Sequence, residues 1–537
     1  MTTSPYLRSA NQPPPLAGYD LFSENRPLVE ALEREGGVDS VERCAAFGRL
    51  CGGGPLELGR LANEHPPVLR THDRFGERID EVEFHPAWHE LLSLGVEHGV
   101  HSLPWTGGHH VVRAALFTTL AYAEAGVGCP LSMTYAAVPA LRASAPELAA
   151  EWEPLLASTT YDLALRPHGE KQGALCGMAM TERQGGSDVR ANETRAEPDG
   201  DGYLLTGHKW FCSAPMSDAF LVLAQAPVGL TCFLLPRILE DGTRNGLRLE
   251  RLKDKLGNRS NASAEIRLEE AWAERVGDEG RGVATIIEMV VHTRLDCVLG
   301  STALMRRGVA EATHHAAFRS VFGKPLLEQP LMQNVLADLC LDSEAATVTA
   351  MRLARAFDEE DHTFRRLATA VAKYWVCKQA PPLVAEALEC LGGNGYVEES
   401  GLPRLYRESP LNSMWEGSGN VNCLDVLRAL EREPESLESF RAELSLARGA
   451  NADLDEALVA LDAELADRED LEMRARRLVE RLALCLQASL LVRHAPPEVA
   501  DAFCATRLGG RGGRAYGTLP RTVDATAILE RHRPRLD

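Results

Sequence analysis

Residues 177–210 read GMAMTERQGGSDVRANETRAEPDGDGYLLTGHKW, and the reading of this stretch decides the fold. Its left half, with Met180, Thr181, Gly185, Gly186 and Ser187, spells a polar loop of open amides and hydroxyls. Its right half is a hairpin, with Asp199 to Gly202 as the turn and Tyr203 to Thr206 as the returning strand. Far downstream, Trp415-Glu416-Gly417-Ser418-Gly419-Asn420 sets one carboxylate between an aromatic residue and a glycine. The region between carries helical periodicity. A β-rich insert flanked by helices, with a carboxylate supplied by the far helical block, suits a cofactor site served by one base.

Outward from that stretch the period is two from about residue 174 to 285. AFLVLA at 219–224 and TCFLLP at 231–236 are short apolar strands, and Glu265 to Leu268 alternates like a half-exposed one. Turns at Asp199-Gly200, Asp241-Gly242 and Asn245-Gly246 separate them. On either side the pattern is helical. Residues 24–160 read mainly as helices, with a break from Glu124 to Pro130. Asn334 to Phe357 reads as one long helix, and Thr363 to Gly392 as another that Pro381-Pro382 must interrupt. The expected boundaries are 1–175 for an N-terminal arm and helical domain, 176–285 for the β domain, 286–438 for a helical bundle and 439–537 for a helical C-terminal domain. NQPPP at 11–15 predicts an extended arm that either packs loosely or lies along a neighbouring copy.

The 537 residues, 45 % hydrophobic and 25 % charged, are enough for a large core and more than one domain. A net charge of −20 argues against a whole surface that coats nucleic acid, though not against one basic face. Thirteen scattered cysteines without a CxxC pair, after a polar, proline-rich start, predict reduced thiols and a cytoplasmic protein with no membrane span. No metal is expected: His98, His101, His109 and His110 read as surface or capping histidines.

The last hundred residues reverse the charge. Residues 441–470 hold nine Asp or Glu against three Arg; residues 471–537 hold twelve Arg against seven acids, a net of +5. Leu478, Leu482, Leu486 and Leu490 form one helical face, with Arg474, Arg477 and Arg481 on another side. RLGGRGGRAYG at 507–517 adds Arg507, Arg511 and Arg514 in a glycine loop, where a planar guanidinium suits phosphate. The alternative is that these arginines pair with the acidic 441–470 stretch. Glu416 is the candidate base, since burial can raise a carboxylate toward working pH; spacing alone favours a residue satisfied at a helix N-terminus.

Together, MTERQGGSD at 180–188, GHKWFCSA at 207–214, RSVFGKP at 319–325, ECLGGNGY at 389–396 and MWEGSGN at 414–420 resemble the acyl-CoA dehydrogenase family. The resemblance is greatest to its AidB branch, from the bacterial adaptive response to DNA alkylation. It implies an α+β fold: a helical domain, an antiparallel β-barrel-like middle domain, a four-helix-bundle domain and a helical C-terminal extension. It also implies FAD. Met180, Thr181, Gly186 and Ser187 match the loop against the flavin ring, and Phe211 and Ser213 the strand beside it. Arg319, Phe322 and Gln329 match a segment that meets FAD across a subunit boundary. Gly392, Gly393 and Asn394 match the pyrophosphate-side turn, and Trp415, Gly417, Ser418 and Asn420 flank the base on the cofactor side. Glu416 matches the base that removes the α-proton of an acyl-CoA while a β-hydride goes to flavin N5, and Arg294 matches an arginine close to that site.

The branch's C-terminal region implies binding of double-stranded DNA, here through Arg474, Arg477, Arg481, Arg507, Arg511 and Arg514, without base readout. The combined expectation is a tetramer, built as a dimer of dimers. It would bind DNA non-specifically and either protect it or deactivate alkylating agents, with weak acyl-CoA dehydrogenase activity. The alternative is a genuine short- or branched-chain acyl-CoA dehydrogenase whose extension serves oligomerisation.

Overall fold

The structure, a computed structural model, describes residues 11–536. The chain divides into two compact units: Gly54–Asp296 is an insert, and Met1–Gly53 joins Cys297–Asp537 to form the other. The first ten residues of the expected arm lie outside the described residues.

In the insert, every residue of the helix His110–Ala123 is buried. Its one strong charge, Arg113, is met by Asp296 through two hydrogen bonds of 2.5 and 2.7 Å and by the Val100 carbonyl at 2.8 Å. A bidentate pair of this kind is how a guanidinium survives in an apolar helix bundle. His101 and His110 are 1 % and 9 % exposed, which corrects their reading as surface or capping residues. His101 Nε2 lies 3.0 Å from the Ser158 carbonyl, and His110 Nδ1 lies 2.7 Å from the Tyr135 hydroxyl.

The helical reading of residues 24–160 also missed a hairpin, β1 (Val68–His72) and β2 (Arg78–Glu83). Its turn is organised by Asp73, whose carboxylate accepts the amides of Phe75 and Glu77.

The period-two region is β3 (Cys176–Ala179), β4 (Arg195–Asp199), β5 (Gly202–Ser213), β6 (Ala219–Ala226), β7 (Gly229–Pro236), β8 (Leu247–Leu252) and β9 (Ser263–Val276). The Asp199–Gly202 hairpin forms as the sequence requires, with Pro198 opposite Tyr203. Strand order runs β3-β6-β4-β5-β9-β7, and β7 pairs back onto β6, so the sheet closes on itself. Closure removes exposed edges and buries Leu205, Phe220, Val222, Phe233, Leu249, Ile266 and Leu268 inside.

The other unit is built on two helices of 29 residues, Pro330–Asp358 and His362–Cys390. The second runs unbroken through Pro381 and Pro382, against expectation. Pro382 is exposed and Pro381 half-buried, while Cys377, Ala380, Leu383 and Val384 are buried around them. The carbonyls of Cys377 and Lys378 lose their N–H partners, and packing of the buried neighbours holds the axis.

The apolar face of Leu471–His494 is buried as read, with Leu478, Leu482, Leu486 and Leu490 all at 1 % exposure or less. The described part of the arm is anchored to its own chain. The Asn11 side chain exchanges hydrogen bonds with Ser320, its carbonyl accepts from Arg319, Gln12 accepts from Asn394, and Pro14 faces His314 Nε2.

The end of the chain ties back as well. Arg531 and His532 both reach Glu344, and Arg531 also pairs with Glu30. Burial pushes the Glu344 carboxyl up, but His532 and Arg531 overcome it and hold it down to about 2. A depressed carboxylate stabilises fully above its unfolded value of 4.5 and loses that contribution as pH falls through about 2. The thermal midpoint is therefore expected to drop steeply from about pH 4.5 downward. Glu344→Gln should start lower at neutral pH and show a flatter acid limb, measured by calorimetry across pH.

Candidate active site

The candidate residues divide between the two units. In the insert, Met180 to Ser187 connects β3 to the hairpin. A β-bridge between Glu182 and Gly185 folds the loop back, and Thr181 accepts the Trp210 amide at 2.8 Å. What fixes the loop is a pair that the sequence reading did not single out. Glu182 and Lys209 are both fully buried, 2.6 Å apart. Glu182 also accepts the amides of Glu193 and Thr194, and Lys209 donates to the Leu223 carbonyl. Asn192 adds a hydrogen bond to the Met180 carbonyl at 2.9 Å.

Burial pushes the Glu182 carboxyl up, yet Lys209, Thr194 and the Glu193 amide together hold it below its ordinary range. Burial draws the Lys209 ammonium down to about 8 against the pull of Glu182. The signal that could have found Lys209 is its place in GHKWFC, an inward position of β5 where an unpaired charge would be untenable.

Above this anchor the loop is open. Gly186 and Ser187 are exposed, and nothing crowds Gly185, whose φ is +129°. At Gly186 an added Cβ would stand 2.5 Å from Thr181 Oγ1, so a larger residue there would displace the Thr181 hydroxyl. On β5 the register slips between Lys209 and Cys212. This bulge turns Phe211 outward, 48 % exposed, and leaves Trp210 half-buried under Lys253, whose Nζ stands 3.4 Å from the ring centroid. Ser213 is half-buried at the end of the strand, and Arg294 is buried on the helix Gly282–Phe318. Hydroxyls, open amides and an exposed ring in one place are the donor set that a planar heteroaromatic group with carbonyl edges requires.

In the other unit, Arg319, Phe322 and Gln329 sit on and after a small hairpin, Ser320–Pro325. Gln329 Nε2 donates to the Val321 carbonyl at 3.0 Å, and Phe322 is 99 % exposed at φ +50°. Gly392 and Gly393 are exposed with free space around them, and Asn394 meets Gln12. The base loop is held more firmly. Trp415 Nε1 donates to Asn412 at 2.9 Å, and the half-buried Glu416 adopts φ +55°. Asn422 donates to the carbonyls of Gly417 and Ser418. Arg476, from the C-terminal helix, donates to Asn420 at 2.8 Å.

The six arginines expected at DNA mostly have acidic partners. Arg474, Arg477 and Arg481 converge on the buried Glu464 at 3.8, 3.4 and 2.6 Å. Arg507 is turned into Asp338 and Asp342 at 2.6 and 3.0 Å, and Arg511 pairs with Asp453. Arg477 keeps 64 % of its side chain exposed despite its partner, and Arg514 is exposed. Three histidine- or carboxylate-bearing residues elsewhere, Glu151, His168 and Glu240, form the one cluster with metal-ligand spacing among the described residues. All thirteen cysteines are free and buried, and no described helix is long and apolar enough to cross a membrane.

A closed β unit between helical segments, an open loop anchored from beneath, and a carboxylate on a left-handed turn are what the acyl-CoA dehydrogenase fold presents, and the chain belongs to that family. Its middle-domain model matches residues 177–271, and its C-terminal-domain model residues 280–431. Residues 11–163 match the N-terminal domain of the adaptive response protein AidB, which places the chain in the AidB-like branch. It is 47 % identical to the putative acyl-CoA dehydrogenase AidB of Escherichia coli (strain K12), over 94 % of each chain. It is 33 % identical to acyl-CoA dehydrogenase family member 11 of Caenorhabditis elegans, over 82 % of this chain and 77 % of the relative. A crystal structure of Caenorhabditis elegans ACDH-11 in complex with C11-CoA superposes with a TM-score of 0.82, at 28 % identity, covering 95 % of this chain and 94 % of that one.

Proposed function

We propose that the protein is a FAD-dependent flavoprotein that oxidises an acyl-CoA thioester with Glu416 as the base. The observation that carries this is the fixed left-handed turn presenting Glu416. The complex of a relative with C11-CoA supports the substrate class. When bound, FAD supplies a two-electron acceptor for the β-hydride, with its ring against Met180, Thr181, Gly186, Ser187, Phe211 and Ser213. Arg319, Phe322 and Gln329 would meet the cofactor of a neighbouring copy across a subunit boundary, Gly392, Gly393 and Asn394 would hold its pyrophosphate side, and Trp415, Gly417, Ser418 and Asn420 would border it near the base. Glu416 takes the α-proton of the thioester, and Arg294 serves the same site. The assembly that goes with this reading is a dimer of dimers, in which the exposed Phe322 would be covered by a second copy. The reading is tested by adding butyryl-CoA anaerobically to the yellow protein; bleaching at the flavin band is expected, and an unchanged spectrum with acyl-CoAs of several lengths overturns it.

A second reading is association with double-stranded DNA in a cytoplasmic alkylation response, by shielding DNA or consuming the alkylating agent. The exposure of Arg477 and Arg514 favours it. Because Glu464 engages Arg474 and Arg481, the contacts to phosphate fall chiefly on those two. Binding should weaken by roughly 10³-fold or more between about 50 and about 200 mM salt if six or more phosphates are met, and proportionally less if fewer are. Reversing Arg477 and Arg514 to Glu should weaken binding at the lower salt about tenfold without loss of flavin. No retardation of DNA at either salt removes this reading.

A further inference from the structure

The turn that carries Glu416 has an unusual support. Lys373 lies on the helix His362–Cys390, within the apolar run AVAKYWVC, and is 1 % exposed. Its ammonium donates to the Trp415 carbonyl at 2.8 Å and to the Gly417 carbonyl, the carbonyl oxygens of the residues before and after Glu416. Two carbonyls two residues apart in an extended or helical chain do not meet at one point. They converge here because Glu416 and Gly417 have φ of +55° and +94°. Glycine takes such angles freely, but a glutamate does not, so something must hold residue 416 there.

A cation does this better than a neutral donor. It attracts two carbonyl dipoles at once through charge-assisted hydrogen bonds, and its burial leaves water no chance to compete. Asn422, itself fully buried, shares the Gly417 carbonyl at 2.6 Å and so locks the side of the turn that leads into the next helix.

We propose that Lys373 is a positioning residue for the base: it holds the carbonyls of the residues before and after Glu416 and so sets where the carboxylate stands. Its role as a support for catalysis rests on Glu416 being the base; its hold on the turn does not. A lysine touching neither substrate nor cofactor acts here through geometry, and small misplacement of a reacting group costs about 10²-fold in rate.

The test uses the full-length, FAD-loaded protein with Lys373→Met, Lys373→Gln and, alongside, Glu416→Gln. Amide hydrogen exchange is read over residues 411–422 and, as a reference, over 202–213. Bleaching by butyryl-CoA is read as maximal rate and half-saturating concentration. For Lys373→Met, exchange over 411–422 should rise at least about tenfold with 202–213 unchanged. Bleaching should slow about 10²-fold at saturation, with half-saturation within about twofold of wild type. Lys373→Gln, which keeps two N–H donors without the charge, should fall between.

Wild-type protection over 411–422 in Lys373→Met overturns the proposal. So does loss of protection throughout the chain with loss of flavin in both variants, since Lys373 would then be a general support of the fold. Glu416→Gln distinguishes the two claims. It should keep protection over 411–422; if it bleaches like wild type while Lys373→Met still loosens the turn, the base lies elsewhere and the hold on the turn stands.

Discussion

Replacing Glu416 by Gln is expected to slow anaerobic bleaching of the flavin by butyryl-CoA by roughly 10³-fold or more, while the protein stays folded and yellow. The amide keeps the volume and hydrogen-bonding reach of the carboxylate but cannot accept the α-proton, and a positioned base contributes about 10²–10⁴-fold. The left-handed turn at 416 makes compensation by a neighbour difficult. Trp415 is committed to Asn412 through its indole N–H, and Ser418 is a hydroxyl of far lower basicity. Stopped-flow absorbance at the flavin band checks this, and a rate within about tenfold of wild type would assign the proton to another group.

The second large effect is expected at the buried pair beneath the Met180 to Ser187 loop. Lys209→Met should destabilise the insert by about 3–5 kcal/mol, because it leaves Glu182 charged and buried without its cation. For a unit of this size that corresponds to a midpoint lower by roughly 10 °C. Flavin should be lost at the same time, since Glu182 holds the amides of Glu193 and Thr194 and forms the bridge with Gly185 that shapes the loop. The double variant Glu182→Gln with Lys209→Met should recover much of the stability, as no charge remains buried. Calorimetry of the four proteins closes the cycle. If the double variant is as unstable as the single one, the loss belongs to packing around Lys209 and not to its charge.

The strands of the β unit and the Asp199–Gly202 turn were legible because alternation and turn chemistry are local. The barrel's closure was legible only through the family resemblance, since the pairing of β7 with both β6 and β9 depends on register between distant segments. Glu416 stood out as a carboxylate between Trp415 and Gly417, yet its neighbourhood could not identify it as a base without the family resemblance. Its support was hidden for a plain reason: Lys373 is more than forty residues away, and a lone lysine in an apolar run does not name its partner. The same holds for the arginine-rich tail. A window of sequence counts charge and sees a basic face. It does not see that Arg507 is answered by Asp338 and Asp342, far earlier in the chain. Pro381-Pro382 misled in the opposite direction, because a local rule about helix breaking was overruled by burial on the other side of the helix.

The link between Glu30 and Arg531 has a consequence for the order in which the chain is made. The helix Arg26–Leu32 emerges early from the ribosome, yet the Pro330–Asp358 helix on which it packs and the arginine that secures it come late. At about 5–20 residues per second the delay is tens of seconds. The Gly54–Asp296 unit is complete in sequence during that wait and free to fold. Leu28, Ala31 and Leu32 meanwhile remain uncovered, a greasy nascent segment awaiting its mate. A chain ending at Asp296 would therefore hold the whole middle unit but leave the apolar face of the Arg26–Leu32 helix without the partner that covers it.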